Sequence, residues 1–238
     1  MSMRYTVTGA DAISSRTRLS RFDATSSVYT SNSNNKILIP ISADGFINSA
    51  ESYLFMRVES LHTTAGVAHI EGDLSALIDK LEISVAGSSG KVETIDNYNT
   101  YALLDSRYNS GLDDATYNQI VTGGSAPALT FNPRGARMAV AGGNGGVPDH
   151  VTLAVKLKAG FLSSYYNKAL PMGLPQIQLE LTLANGTDAV IMSANGSANN
   201  HFQVSQVRFY APTFQIMDEQ VMAAYTRQIQ SGVTAWVG

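Results

Sequence analysis

The chain has 238 residues, of which 44% are hydrophobic and 15% charged, with a formal net charge of −3 and no cysteine. The apolar content suffices for a packed core, whereas the charge excludes a globally basic nucleic-acid binder and the lack of cysteine excludes disulfides and thiol chemistry. A soluble surface carries roughly 25–35% charged residues, so this composition favours either a surface covered by neighbouring subunits or a neutral surface rich in Ser, Thr and Asn.

Residues 1–35 are polar and show little of the periodicity that predicts core-facing elements. They carry four arginines against two aspartates, namely Arg4, Arg16, Arg18, Arg21, Asp11 and Asp23. We predict an extended arm that lies along a neighbour, and a disordered tail is the alternative. The first residues also lack the apolar segment of a secretory signal, and no apolar run approaches the ~18 residues that a membrane-spanning helix needs. The glycosylation-type sequences at Asn185 and Asn195 are therefore interpreted as loops.

Strand patterns begin at residue 36. Residues 36–41 form a short β-rich run whose Pro40 suits an edge strand or a strand end. Residues 52–60 alternate strongly between two faces. One face is apolar and comprises Leu54, Met56 and Val58, and the other is mixed and comprises Phe55 and Arg57. We expect this segment to be a strand with one buried face.

Residues 79–86 and 91–95 are joined by a Gly-Ser-Ser-Gly turn and predict a hairpin. In its first strand, three apolar residues are expected to point inward and three polar residues outward: Leu81, Ile83 and Val85 against Lys80, Glu82 and Ser84.

Residues 97–108 are rich in tyrosine and predict a helix whose apolar face comprises Tyr98, Tyr101, Ala102 and Leu104. The following stretch, 109–146, holds glycine runs without the frame of a phosphate-binding loop, so they are interpreted as turns. Loops this long are usually functional or disordered. We therefore predict an outward-facing or inter-subunit insertion.

The last third of the chain predicts three strands and a helix. Residues 151–158 and 176–183 alternate strictly, and residues 202–216 predict a long strand bent at Pro212. Residues 218–230 predict a helix with acidic residues at its start and a core-facing stripe of Met217, Val221, Tyr225 and Ile229.

Eight strand-like segments without strand–helix alternation argue against a parallel α/β sheet. Many short strands separated by Gly, Pro and Asn indicate a sandwich or barrel, and eight strands fit a jelly roll. We predict an all-β, antiparallel, eight-stranded jelly-roll sandwich over residues 36–216. The arm of residues 1–35 precedes this sandwich, and a helix and tail at 217–238 follow it.

Several segments together resemble a known family. They are Asp44-Gly-Phe-Ile-Asn48 followed by Ser52-Tyr-Leu-Phe-Met-Arg-Val58, Leu81-Glu-Ile-Ser-Val85 with Glu93-Thr-Ile-Asp-Asn-Tyr-Asn99, Leu170-Pro-Met-Gly-Leu174, Gln178-Leu-Glu-Leu-Thr-Leu-Ala184, Val204-Ser-Gln-Val-Arg-Phe209 and Asp218-Glu-Gln-Val-Met-Ala-Ala-Tyr225. This set covers most of the chain from about Lys36 onward. It resembles the first jelly roll of major capsid proteins of the double jelly-roll virus lineage.

The resemblance implies a structural protein of the virion that self-assembles into capsomers of an icosahedral shell. Its implied partners are other copies or related capsid subunits, minor capsid or penton proteins, and an internal membrane. In the two-barrel proteins this pattern spans only the first barrel, and residues 231–237 would begin the second. We therefore expect either a single-barrel subunit or a second barrel on another chain.

Residues suited to catalysis or metal binding form no recognisable motif. His62, His69 and Glu71 lack both the His-x-His spacing of a cupin and the His-Glu-x-x-His of a zincin, while His150 and His201 stand alone. We therefore predict no metal site and no cofactor.

The acid pairs Asp113-Asp114 and Asp218-Glu219 are adjacent in sequence, whereas general acid–base chemistry needs carboxylates held across a cleft. A Gly-x-Ser-x-Gly nucleophile elbow is also absent. We predict that the protein is not an enzyme and has no catalytic residue.

A carbohydrate-binding jelly-roll module, such as a receptor-binding or lectin-like protein, is the alternative function. It would use exposed aromatic side chains, for which the candidates are Tyr98, Tyr101, Tyr108, Tyr165 and Tyr166. Such tyrosines are more often core or interface residues. The single tryptophan, Trp236, lies almost at the end of the chain, which weakens this alternative.

Overall fold

The computed structural model describes residues 15–42, 45–61, 66–70, 74–85, 90–109, 137–140, 150–162, 169–171, 176–185, 191–193 and 201–216, together with Ala223 and Arg227. The strands of the described part are β1 (Ser15–Asp23), β2 (Val28–Thr30), β3 (Lys36–Ile41), β4 (Phe46–Asn48), β5 (Tyr53–Ser60), β6 (Gly66–Ile70), β7 (Ile78–Val85), β8 (Lys91–Asp96), β9 (Arg137–Val140), β10 (His150–Val155), β11 (Ala169–Pro171), β12 (Ile177–Leu183), β13 (Ile191–Ser193) and β14 (Phe202–Ile216). Helix α1 spans Tyr98–Asn109, and short 3-10 helices span Ser49–Glu51, Leu74–Leu77 and Gly160–Leu162.

Two antiparallel sheets carry the fold. In the main sheet the order is β10-β5-β14-β4-β11, and β1 and β2 also pair with β14. Strands β5 and β4 pair with successive parts of one edge of β14, and β2 and β1 pair with the opposite edge. In the second sheet the order is β3-β12-β7-β8. Apart from the β7–β8 hairpin, the long strands alternate between the sheets along the chain, which is jelly-roll connectivity. The predicted all-β jelly-roll sandwich is confirmed, but its count of eight strands is not. The described residues form fourteen strands, of which seven belong to the main sheet, four to the second sheet and three, in the order β13-β6-β9, to a small third sheet.

The core lies between the two sheets and is built from alternate residues of each strand. In β5 the buried residues are Leu54, Met56 and Val58, as predicted, and in β12 they are Ile177, Leu179, Leu181 and Leu183. Among the described strands, β3 pairs only with β12, so Pro40 lies on an edge strand, where its missing amide hydrogen is tolerated.

Strand β14 contains a bulge that sequence analysis did not predict. Ser205 pairs with Arg57 and Arg208 with Phe55, so Gln206 and Val207 together oppose Met56. Gln206 has a φ of 51°, which is the left-handed conformation found at the first residue of G1-type bulges. The predicted bend at Pro212 is not where the ladder breaks, since that residue pairs with Leu19 of β1 inside a continuous register.

The described part of the predicted N-terminal arm belongs to the main sheet. Strand β1 pairs with β14 over nine consecutive residues, from Ser15 opposite Ile216 to Asp23 opposite Arg208. Phe22 and Tyr29 are buried in the core, and the Tyr29 hydroxyl accepts a hydrogen bond from the Ser26 amide at 2.8 Å. Strands β1 and β2 are therefore paired within their own chain, and the domain boundary at residue 35 stays a prediction.

Helix α1 packs against the core through fewer residues than predicted. Tyr98 and Ala102 are buried, but Tyr101 and Leu104 are 44% and 50% exposed, so assigning these two to the packed face was wrong. The polar residue Lys158 secures the helix instead: its Nζ lies 2.7 Å from Asp105 Oδ2 and 3.0 Å from the Ala102 carbonyl oxygen. Leu103, which was not assigned to this face, is partly buried against the core.

Two predicted features fall largely outside the described residues. Of the C-terminal helix, Ala223 and Arg227 are described, and both are helical and exposed, while its apolar stripe lies outside the described residues. Of the 109–146 insertion, only Asn109 and β9 are described, so its outward exposure stays a prediction.

The same substitution at two leucines tests the observed core. Leu81→Ala removes a fully buried side chain of β7 and should lower the free energy of unfolding by about 2–5 kcal/mol. Leu104→Ala removes a half-exposed side chain of α1 and should change it by less than about 0.5 kcal/mol. Urea unfolding followed by circular dichroism measures both, and equal losses would contradict the described placement of α1.

Candidate interaction surfaces

The outer face of the main sheet carries a cluster of aromatic side chains. Tyr53 of β5 and Tyr210 of β14 stack with ring centroids 5.1 Å apart, and Phe55 meets the Tyr210 ring edge-on at 6.2 Å. The Arg208 guanidinium lies 5.8 Å from the centroid of the Phe55 ring. These four residues, here called the aromatic face, are all partly exposed because the opposite side of each strand fills the core.

Ion pairs surround the aromatic face. Arg57 Nη2 lies 2.9 Å from Glu59 Oε1. Asp23 forms two ion pairs: its Oδ2 lies 3.0 Å from Arg21 Nε, and its Oδ1 lies 3.5 Å from Arg208 Nε. An aromatic centre with a polar rim is the usual anatomy of a protein–protein interface, in which aromatic residues and arginine are enriched. The arrangement fits contact with another macromolecule.

The outer face of the second sheet is charged instead. Glu82 of β7 receives the ammonium groups of Lys91 and Lys80, the second at 3.0 Å, and Lys80 also contacts Asp96 Oδ1 at 3.1 Å. Glu82 lies on the outer face, as predicted, but its side chain is only 5% exposed where the two lysines contact it. Glu180 lies directly opposite Glu82 and is neutralised by Lys36 at 3.2 Å.

The charged face shifts the titration of its members. Hydrogen bonding to Lys91, followed by Lys80, lowers the pKa of Glu82, although desolvation opposes this effect. Hydrogen bonds to Glu82 and Asp96 raise the pKa of Lys80. Both groups therefore stay ionised near neutral pH, and the lattice of opposite charges stabilises the pairing of β7 with β8.

A second carboxylate, Glu93, lies on the core-facing side of the edge strand β8, where it pairs with Ile83. Burial raises the pKa of Glu93, against the lowering effect of a hydrogen bond from the Gly160 backbone. Gly160 has a φ of +31°, a conformation that favours glycine, and a Cβ there would displace the Glu93 carboxylate. An inward-pointing charge discourages another strand from pairing with the edge of β8.

The edge of β1 carries an open groove. The groove is lined by six residues of β1, by Pro40 of β3 and by Ser42, which follows β3. The β1 residues are Arg18, Leu19, Ser20, Arg21, Phe22 and Asp23. The groove has a volume of about 530 Å³ and runs along the seam between the two sheets. Its exposed apolar residue, Leu19, is 58% accessible. Sequence analysis noted the arginines of this segment but not that they line a strand edge.

The histidines considered as metal ligands are dispersed. His150 begins β10, His201 precedes β14 with its Nδ1 3.4 Å from Ser31 Oγ, and His69 lies in β6, while His62 and Glu71 are outside the described residues. Among the described residues, no three His, Asp or Glu side chains are grouped in a way that could hold a metal ion.

Several other candidates lie outside the described residues, and these are Asp113, Asp114, Tyr165, Tyr166, Asp218, Glu219 and Trp236. Tyr108 lies in α1, and Asn185 is exposed just after β12. Within the part of the chain that the structure describes, each helix is too short or too polar to cross a bilayer.

Comparison with known proteins finds similarity to solved structures alone. No family model and no curated protein matches the chain. Among solved structures, VP54 of PBCV-1, fitted into a cryo-EM reconstruction of the virophage Sputnik, aligns with a TM-score of 0.54 and 16% identity over 94% of this chain and 47% of its own. The Faustovirus major capsid protein aligns with a TM-score of 0.54 and 9% identity over 96% of this chain and 58% of its own.

The TM-scores of these two alignments show a shared fold, and at 16% and 9% identity they show the fold alone. The predicted resemblance to the double jelly-roll capsid lineage is confirmed at that level, and the chain spans about half the length of the solved structures it matches.

Two isosteric substitutions should change the pH dependence of stability in opposite directions. The lowered pKa of Glu82 means that its stabilisation is present above the ordinary value of 4.5 and is lost as pH falls through the lowered pKa. Glu82→Gln should therefore lower the free energy of unfolding by about 1–3 kcal/mol near neutral pH, and by less in acid.

Glu93 has a raised pKa, so its contribution is present below 4.5 and is lost as pH rises through the raised pKa. Glu93→Gln should accordingly stabilise the protein near neutral pH relative to acid. Urea unfolding measured from acid to neutral pH gives the free energy of unfolding of both variants. If that free energy depended on pH in the same way for the two variants, the opposite pKa shifts of Glu82 and Glu93 would be contradicted.

Proposed function

We propose that this chain is a structural, non-enzymatic subunit of a viral capsid, which self-assembles with copies of itself or with related subunits into capsomers of an icosahedral shell. The carrying observation is an aromatic, arginine-rimmed outer sheet face on a fold shared with a major capsid protein. The role is geometric: rigid barrels stand side by side and bury complementary surfaces under a closed symmetry.

The aromatic face supports this proposal because of how its side chains are held. Tyr53, Phe55 and Tyr210 are fixed by mutual ring contacts across β5 and β14, so little side-chain freedom is lost when a neighbour covers them. Aromatic residues and arginine dominate the energetic centres of interfaces. Modest affinity at each contact suffices, since a subunit in a shell binds several neighbours at once.

Composition supports the same conclusion. Only 15% of the residues are charged, and in the described residues many charges are already committed to pairs within one chain, as in the Lys36–Glu180 and Lys158–Asp105 contacts. Such a surface has less electrostatic repulsion between copies at close packing than a highly charged surface would have.

The proposal extends to location and partners. The protein would reside in the virion, in contact with other capsid subunits. Minor capsid or penton proteins and an internal membrane are further partners that the resemblance implies.

Disrupting the aromatic face should disrupt assembly without unfolding the barrel. The double substitution Tyr53→Ser with Phe55→Ser removes two rings of that face, and we expect the concentration needed for assembly to rise about tenfold or more. Light scattering and negative-stain imaging of the purified chain measure the assembly, and thermal unfolding checks that the variant stays folded.

The matched control is Tyr101→Ser with Leu104→Ser, which removes one ring and one exposed aliphatic side chain from α1. Assembly of the control should equal that of the unaltered chain. A protein that stays monomeric at high concentration would contradict the proposal, and a glycan-binding screen would then test the carbohydrate-binding alternative.

A further inference from the structure

Strand β1 has one hydrogen-bonding edge that no described strand covers. Its other edge pairs with β14 along all nine residues, and within the described ranges no second partner of β1 is found. A strand edge of this length offers a row of free amide and carbonyl groups, which is a template for adding another strand.

Two other edges of the sandwich are protected, and β1 differs from both. The edge of β8 has the inward-pointing carboxylate of Glu93, and the edge of β3 has Pro40, which cannot donate a backbone hydrogen bond. Strand β1 has neither device. Its groove instead contains Leu19, a suitable contact for an apolar side chain of an added strand.

Charge decides which strand would fit. Arg16, Arg18 and Arg21 are all exposed on β1, against the single carboxylate of Asp23, which Arg21 and Arg208 already neutralise. Pairing two copies of β1 would bring like charges together, which is unfavourable across a ladder. An incoming strand with carboxylates would meet opposite charge, and arginine binds carboxylates well because its fork can donate two parallel hydrogen bonds.

We propose that the open edge of β1 and its groove bind an extended acidic segment of another protein, which adds to the main sheet as a strand. Main-chain hydrogen bonds would supply affinity, Arg16 and Arg18 would select carboxylates, and Leu19 would contact an alternate apolar side chain. This inference does not depend on the shell proposal, since it concerns a strand edge and not the aromatic face.

The test uses the full chain and a fluorescent nine-residue peptide of alternating glutamate and valine, equal in length to β1. Anisotropy should show binding that weakens as salt increases, because the selecting charges are exposed. Arg16→Glu with Arg18→Glu should weaken binding about tenfold. The matched charge control, Lys156→Glu with Arg227→Glu, changes two exposed basic residues that do not line the groove and should leave binding unchanged.

Two further peptides separate strand addition from simple charge attraction. A peptide of the same sequence with methylated backbone nitrogens cannot donate hydrogen bonds and should fail to bind, and a lysine–valine peptide should also fail. Equal binding of the methylated peptide, or no effect of the arginine substitutions, would overturn the proposal. So would dimers of the unaltered chain that the same arginine substitutions abolish, since the occupant would then be a second copy.

Discussion

The bulge at Gln206 and Val207 is the feature on which the main sheet depends. Before it, Phe202 and Val204 face the core, and after it the buried positions become Val207 and Phe209. One inserted residue therefore shifts the inward parity of β14 from even to odd, so that both halves can bury their apolar side chains. Without the insertion, a fifteen-residue strand would present one of its halves with the wrong face inward.

The same bulge organises the opposite edge of β14. Strand β1 pairs with the segment from Arg208 onward, β2 pairs with Gln203–Ser205, and the connection between them turns beside the bulge, where the Ala24 amide donates to the Val207 carbonyl at 3.2 Å. Local twist at a bulge thus lets one strand accept two separate partners on one edge. The open edge of β1 is a consequence of this arrangement.

Sequence periodicity predicted strands with one fully apolar face, such as β5 and β12, and it missed β1, whose buried face is mixed. Strands β5 and β12 alternate without interruption, so their buried residues follow from the pattern alone. Strand β1 buries Phe22 but places Ser20 against Thr213, with the two hydroxyls 2.7 Å apart, and polar pairing of this kind has no hydrophobic period. The bulge, by contrast, left a readable signal in the apolar parity of residues 202–209.

The sequence predicted which residues of β5 and β7 face outward, but it did not predict which side chains they contact there. Alternation placed Phe55 and Arg57 outside the core, yet the aromatic face also needs Tyr210 and Arg208, from a strand more than 150 residues later. Likewise, Glu82 was placed outside, but its burial depends on Lys91 from the partner strand of the hairpin. Contacts between strands distant in sequence require the register, and the register depends on bulges and turns that a period of two does not encode.

Strand β1 combines two requirements that usually conflict. It must be extended and regular to complete the pairing of β14, and regularity leaves its outer edge open to further pairing. Its arginines relieve part of this conflict, because like charge opposes self-association of two such edges while permitting an oppositely charged strand. Selectivity at this edge therefore arises from repulsion of the wrong partner as much as from attraction of the right one, as is general for specific interfaces.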